Sequence, residues 1–215
     1  MKKTLTQLAP QLQQHGILPV YCPQNEAEFE TFRAAVLASP IRMVEITLRN
    51  RFAVEALARL KREEPSLTVA AGTILSEELL LTAVDAGADC LVAPGYSQEL
   101  LQLAEEKEIP FLPGCVTPSE IQNAFRRGYT IQKFFPAAIN GGPAALTLYK
   151  GAFSSVSFVP TGGITLDNLS SYLALSNVLA CGGSFMLPKA MLAADDSEGI
   201  YHIIQNCLAI RGGIQ

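Results

Sequence analysis

A (β/α)8 barrel with a short N-terminal helix is the fold this sequence predicts, and three observations carry the prediction. Eight short apolar runs recur along the chain, amphipathic segments of helical period separate them, and the runs are apolar almost throughout rather than on alternate residues. Near-continuous apolar strands alternating with helices mark parallel pairing with both sheet faces covered. Eight such units in about 200 residues make a compact barrel. An open doubly wound sheet is the alternative. It fits a G-x-G-x-x-G after the first strand, where ILPVYCPQNE has no glycine.

The elements follow in order. After the lead helix, ILPVYC (17–22) is the first strand and AEFETFRAAVLA its helix, then RMVEITL (42–48) with FAVEALARLKREE. LTVAAGT (67–73) is the third strand; the helix after it is capped by Ser76 and stopped by Gly87. DCLVAP (89–94) is the fourth, and the acidic Glu105, Glu106 and Glu108 beyond it read as a solvated helix end. PFLPG (110–114) is the fifth, with a helix from a Thr117 cap to a Gly128 stop. TIQKFFP (130–136), VSFVPTGG (156–163) and NVLACGG (177–183) complete the eight, and LPKAMLA and SEGIYHIIQNCLAI close the ring. With no linker or low-complexity tract, residues 1–215 are read as a single domain.

Composition narrows the function. A chain of 215 residues, 49% hydrophobic and 17% charged, buries one substantial core. A net charge of -4 gives no basic footprint for nucleic acid, and Lys2-Lys3 and Arg126-Arg127 are too short for a polybasic membrane patch. Small anions remain open as ligands, since they need local donors rather than net charge. Cysteines at 22, 90, 115, 181 and 207 are odd in number with no CxxC spacing, and MKKTLTQLAPQLQQHG lacks the apolar core of a signal peptide, so a reducing cytoplasm is expected. His15 and His202 are the only histidines, and neither sits in a ligand cluster, which argues against a metal site and a histidine-based triad. No apolar run reaches the ~18 residues of a membrane span.

In such barrels the chemistry collects at the carboxyl ends of the strands. The polar and glycine residues there are Glu45, Thr47, Arg49, Thr73, Lys133, Thr161, Gly162, Gly163, Gly182, Gly183 and Ser184. In RMVEITLRN a period of two puts Val44, Ile46 and Leu48 towards the helices and Glu45, Thr47 and Arg49 into the barrel. A structural reading makes Glu45 and Arg49 an internal ion pair, or sends Arg49 out to solvent. Lys133 shares its face with Ile131 and Phe135, and of seven lysines it alone is embedded between apolar residues of a strand. A free lysine amine is neutral in only about one part in 2,500 at pH 7. Burial beside Phe135 and a neighbouring cation, for which Arg49 is the candidate, favour the neutral nucleophile. The rival is a lysine reaching the rim, or paired with Glu45 for structure alone. PTGGIT and ACGGSF place glycine pairs after strands 7 and 8, the common phosphate site of these barrels, with Thr165 as a helix cap. Gly141-Gly142 reads as a tight turn. Cys115 and Cys181, without a histidine or cationic partner in view, read as small core residues.

VEITLR, AAGTIL, DAGADCLVAPG, the PG of FLPGCVTPSE, KFFPA, NGG, FVPTGGIT and GGS, in that order, resemble the KDPG/KHG aldolase family over about residues 17–190. The resemblance implies a cofactor-free, metal-free class I aldolase on a (β/α)8 barrel. Such an enzyme is a homotrimer cleaving a phosphorylated keto acid, 2-dehydro-3-deoxy-6-phosphogluconate, to pyruvate and D-glyceraldehyde 3-phosphate. It implies that Lys133 forms the imine and that Glu45 moves protons. Arg49 and Thr73 hold the pyruvate carboxylate, and Pro94 and Phe135 line the pyruvate pocket. Thr161 meets the hydroxyls, while Gly162, Gly163, Gly183 and Ser184 hold the phosphate. Cys22 stands where many relatives carry arginine, Ala70 where a glycine is usual, and Ala138 where an acidic residue often follows. Aldolases for the galactonate epimer or for 4-hydroxy-2-oxoglutarate are the near alternatives. A phosphosugar isomerase, an epimerase or a silent binding barrel is the distant one, and none of these needs a strand-buried lysine.

Overall fold

Each of the eight apolar runs holds a strand. The computed structural model describes residues 5–213. The strands are β1 (Ile17–Tyr21), β2 (Met43–Thr47), β3 (Thr68–Gly72), β4 (Cys90–Val92), β5 (Phe111–Leu112), β6 (Ile131–Phe134), β7 (Ser157–Pro160) and β8 (Cys181–Gly183). Helix α1 (Leu5–His15) precedes them, and α2 (Glu26–Ala38), α3 (Arg51–Glu63), α4 (Glu77–Asp85), α5 (Gln98–Glu106), α6 (Pro118–Arg126), α7 (Gly142–Ala152) and α8 (Leu166–Leu173) connect them. Two further helices, α9 (Lys189–Ala193) and α10 (Ser197–Gly212), follow β8.

Local chemistry sets the helix ends. Asn25, Asn50, Ser76 and Ser97 each accept a hydrogen bond from the backbone three residues on, satisfying a donor that the first turn leaves open. At α6 the Glu120 carboxylate reaches back to the Thr117 N–H at 2.8 Å, a capping box with Pro118 in the first turn. Gly87 and Gly128 stop α4 and α6 with φ of 85° and 92°, a conformation that disfavours any side chain.

The strands are parallel and form two panels. Six run in the order β5-β4-β3-β2-β1-β8, and β6 pairs with β7 in a separate ribbon. Within the larger panel Glu45 lies opposite Val20 on one side and Ala70 on the other, and Thr47 lies opposite Gly72. Narrow seams join the panels. Lys133 bridges Gly114 at one seam, with its N–H donating to the Pro113 carbonyl and its carbonyl accepting from Cys115 N–H, both at 2.8 Å. Phe158 with Val178 and Thr161 with Gly182 bridge the other. The strands are shorter than the apolar runs suggested, most clearly in NVLACGG. There Asn177 turns its side-chain amide to the Leu146 carbonyl at 2.8 Å, Val178 makes only the isolated bridge to Phe158, and the regular strand starts at Cys181.

Two apolar layers follow from the strand period of two. Val44, Ile46 and Leu48 pack outward with Phe29, Ala53 and Leu57 under the helices, as the pattern of RMVEITL predicts. The inward layer comprises Leu18, Met43, Ala70, Cys90, Val92, Leu112, Ile131, Val159 and Ala180. Leu5, Leu8 and Leu12, one face of α1, pack onto this inner layer and stop the amino end of the barrel. Burying each leucine contributes about 1.5–3 kcal/mol. With that end stopped, the carboxyl ends of the strands form the mouth.

Candidate active site

Glu45 and Lys133 stand one layer above the inner apolar core, on strands from different panels. The alternation that buries Met43 and Ile131 points both side chains inward, where Glu45 is 1% and Lys133 6% exposed. The Lys133 ammonium nitrogen Nζ donates to Glu45 Oε1 at 3.1 Å and Oε2 at 3.2 Å. The Phe135 ring lies 5.5 Å from Nζ, presenting a π-face to the amine. The pair is therefore sealed in the barrel and fixed at both ends, with the Lys133 backbone itself held at the seam.

Arg49 takes neither of its expected inward roles. β2 ends at Thr47, so the alternation that would have aimed Arg49 into the barrel stops before reaching it. Its side chain is exposed at the mouth, with Nε donating to Thr73 Oγ1 at 3.4 Å, and the partner of Glu45 is Lys133. Thr73 adopts φ 67°, an uncommon conformation for a β-branched residue and a local strain of order 1–3 kcal/mol. Thr47, also inward, donates from Oγ1 to the Tyr21 carbonyl at 3.3 Å and ties β2 to the end of β1. Half-buried Pro94 lies just past β4, where its carbonyl abuts the space a side chain on Gly114 would fill. The PG of FLPG thus lets the β4 and β5 ends close together.

The glycine turns lie beside this pair. Gly162 and Gly163 have φ of 94° and 75°, and side chains there would strike the Phe135 ring and Ala138 respectively. Helix α8 starts immediately after, with Thr165 as its N-cap. Asn168, which the sequence pattern did not single out, accepts from the Thr165 N–H at 2.9 Å and donates to the Gly163 carbonyl at 3.0 Å, bracing the loop. Its signal was present, since it stands three residues after the cap, the position that closes a capping box. Thr161 is buried, with Oγ1 donating to the Val159 carbonyl at 3.4 Å. Gly183 ends β8 buried, and Ser184 is exposed beside it. Backbone N–H groups at the start of α8 carry the positive end of its dipole. Gly141 and Gly142 form a left-handed pair that also opens α7.

Other polar groups separate from this cluster. Burial, with a smaller contribution from Glu120, pushes the Cys115 thiol up to about 12, and burial likewise raises Cys207 to about 12 and pushes the Cys181 thiol up. Half-buried Cys22, past the end of β1, accepts from Gln24 Nε2 at 3.3 Å and Asn50 Nδ2 at 3.7 Å. Among the described residues no group of His, Cys, Asp and Glu is placed to hold a metal ion, and no helix is long and apolar enough to cross a membrane. A groove of about 400 Å³ between α2 and α3, lined by Phe29, Phe52 and Arg59 among others, shares no residue with the constellation. A buried amine against a carboxylate suits attack on a carbonyl with proton transfer at hand. The adjacent glycine turns suit a distal anion.

The chain as a whole is similar to known proteins. The family model described as KDPG and KHG aldolase matches residues 8–203. The 2-dehydro-3-deoxy-phosphogluconate aldolase of Pseudomonas aeruginosa is 44% identical over 192 residues, covering 89% of this chain and 87% of that one. The KHG/KDPG aldolase of Escherichia coli K12 is 39% identical over 184 residues, 86% of each. Among solved structures, the Legionella pneumophila KDPG aldolase with pyruvate captured as a covalent carbinolamine superposes with a TM-score of 0.86 at 33% identity, covering 94% of this chain and 97% of that one.

Proposed function

The chain belongs to the KDPG and KHG aldolase family, and from that premise we propose that it is a class I aldolase. It cleaves 2-dehydro-3-deoxy-6-phosphogluconate to pyruvate and D-glyceraldehyde 3-phosphate, with Lys133 as nucleophile and Glu45 as proton shuttle. The observation that carries this reading is the buried contact of Lys133 Nζ with both Glu45 oxygens. Passing the ammonium proton to Glu45 across 3.1 Å leaves a neutral amine without stranding two opposite charges in the barrel.

The steps follow from that transfer. Lys133 Nζ forms a bond to the C2 ketone carbon, and the carbonyl oxygen takes a proton from Glu45 to give a carbinolamine. Loss of water leaves an iminium, which draws electrons from the neighbouring C3–C4 bond. Glu45, directly or through a water, takes the C4 hydroxyl proton. The C3–C4 bond breaks, glyceraldehyde 3-phosphate departs, and its bonding pair remains as an enamine. Glu45 returns the proton to C3, and hydrolysis of the pyruvate imine frees Lys133. The iminium supplies the electron sink, so the sequence of steps calls for no metal or organic cofactor.

The remaining residues take the roles that the family resemblance implies. Arg49 and Thr73, in contact at the mouth, hold the pyruvate carboxylate, and Pro94 and Phe135 flank the methyl side. Thr161 meets a substrate hydroxyl. Gly162, Gly163, Gly183 and Ser184, with the α8 N-terminus, take the phosphate. Cys22 offers no cation there, so these backbone groups carry more of the phosphate affinity. A cytoplasmic homotrimer completes the reading. The name of the Escherichia coli relative favours 4-hydroxy-2-oxoglutarate as a second substrate.

Borohydride reduction in the presence of pyruvate, followed by peptide mapping, tests the nucleophile. An adduct on Lys133 is expected, and its absence there overturns the Schiff-base reading. Lys133→Ala abolishes cleavage in a folded protein, whereas Glu45→Gln slows turnover but still permits trapping. Comparing turnover of the phosphorylated substrate, its galactonate epimer and 4-hydroxy-2-oxoglutarate fixes the preference.

A further inference from the structure

Barrel interiors are ordinarily filled by stacked layers of side chains. On β3 the inward residue above Ala70 is Gly72, facing Thr47 and adjoining Glu45. Glycine inside a strand weakens it relative to alanine, so its presence needs a reason. Backbone conformation does not supply one, because Gly72 is absent from the positive-φ glycines and sits in regular parallel pairing. Space does. A Cβ at position 72 would lie 2.8 Å from both Cγ and Cδ of Glu45 and nearer still to Oε1. The Glu45 side chain, 1% exposed, fills the slot left by that missing methyl group.

We propose that Gly72 is a positioning residue for the proton shuttle: its missing side chain is the slot that holds the Glu45 carboxylate against Lys133 Nζ. The assignment rests on Glu45 being the shuttle. Relieving the overlap displaces the carboxylate by about 1 Å, and a misplacement of that size costs about 10²-fold in rate.

The test is Gly72→Ala, with kcat and KM for cleavage, exchange of pyruvate methyl protons in deuterated water, and endpoint borohydride trapping on Lys133. Expected are a fall of about 10²-fold in both kcat and exchange, KM within about threefold, and full endpoint trapping. In a Glu45→Ala background, where the overlap is gone, adding Gly72→Ala changes exchange by less than about twofold. Gly72→Ala with more than half of wild-type kcat, or with the same loss in the Glu45→Ala background, overturns the assignment. The two readings fail differently. Wild-type turnover by Glu45→Ala sinks the shuttle and the slot together, whereas an inactive Glu45→Ala beside an active Gly72→Ala sinks the slot alone. Should Gly72→Ala fail to fold, recovery of thermal stability in the double variant supports the overlap, and no recovery overturns it.

Discussion

Replacing Lys133 by methionine removes one charge from the barrel and leaves the other behind. Glu45 is 1% exposed, and both of its oxygens contact Lys133 Nζ, at 3.1 and 3.2 Å. Breaking a buried pair by deleting one partner costs about 3–5 kcal/mol, because the survivor has lost both water and its counter-charge. Domain stabilities are about 5–15 kcal/mol, so Lys133→Met folds with a reduced margin. Deleting both charges is different: an apolar pair of similar volume is neutral or stabilising by about 1–4 kcal/mol. Lys133→Met/Glu45→Leu therefore unfolds at or above the wild-type midpoint while being catalytically dead. Urea unfolding followed by circular dichroism at neutral pH and fixed protein concentration measures this. With a slope of about 3 kcal/mol/M, the single variant shifts the midpoint down by roughly 1–1.7 M and the double restores it. A single-variant shift below about 0.3 M, or a double variant no better than the single, would refute the claim that the pair is buried and mutually dependent.

Two further outcomes are measurable on the same protein. His15, buried at the C-terminal end of α1, has its imidazole held below its usual 6.5 by burial and, second, by the Arg42 charge; these outweigh the helix dipole, which favours the cation. The unfolded chain thus binds a proton that the native state resists. Its stability contribution is complete above 6.5 and is lost as the pH falls through that value towards the lowered native one. His15→Gln flattens the wild-type decline in urea midpoint between about pH 7 and pH 5.5, and an unchanged slope would contradict it. Among Cys22, Cys115 and Cys207, iodoacetamide labels Cys22 first in the native protein, because the latter two are buried with thiols pushed up to about 12. Peptide mass mapping reads this, and equally rapid labelling of Cys115 would contradict the packing at the end of β5.

Much of this was readable in the chain because it depends on neighbours in sequence. The alternation in RMVEITL shows which face of β2 meets the helices, and the isolation of Lys133 between apolar residues marks it without any structure. For Arg49 the solvent reading held and the inward one failed, because a period of two carries no signal for where a strand stops, and β2 stops at Thr47. Gly72 beside Glu45, and Gly182 with its missing Cβ 2.5 Å from Thr161 Oγ1, were invisible for another reason. Complementary shapes on strands distant in the chain leave no local period to detect. α1 was legible as a helix, yet only the packed barrel shows that Leu5, Leu8 and Leu12 fit its lower end.

The buried contact of Glu45 with Lys133 also crosses a joint. Glu45 and Gly72 belong to the six-strand panel, with Thr73 just past it, whereas Lys133 belongs to the β6–β7 ribbon and bridges to Gly114 through its own backbone. Glu45, Gly72 and Thr73 leave the ribosome well before Lys133, since synthesis runs from the amino terminus. Until the ribbon docks, those residues form an unfinished arc with nothing to act upon. Turnover in a refolding mixture is therefore expected only after the ribbon carrying Lys133 has joined the panel carrying Glu45.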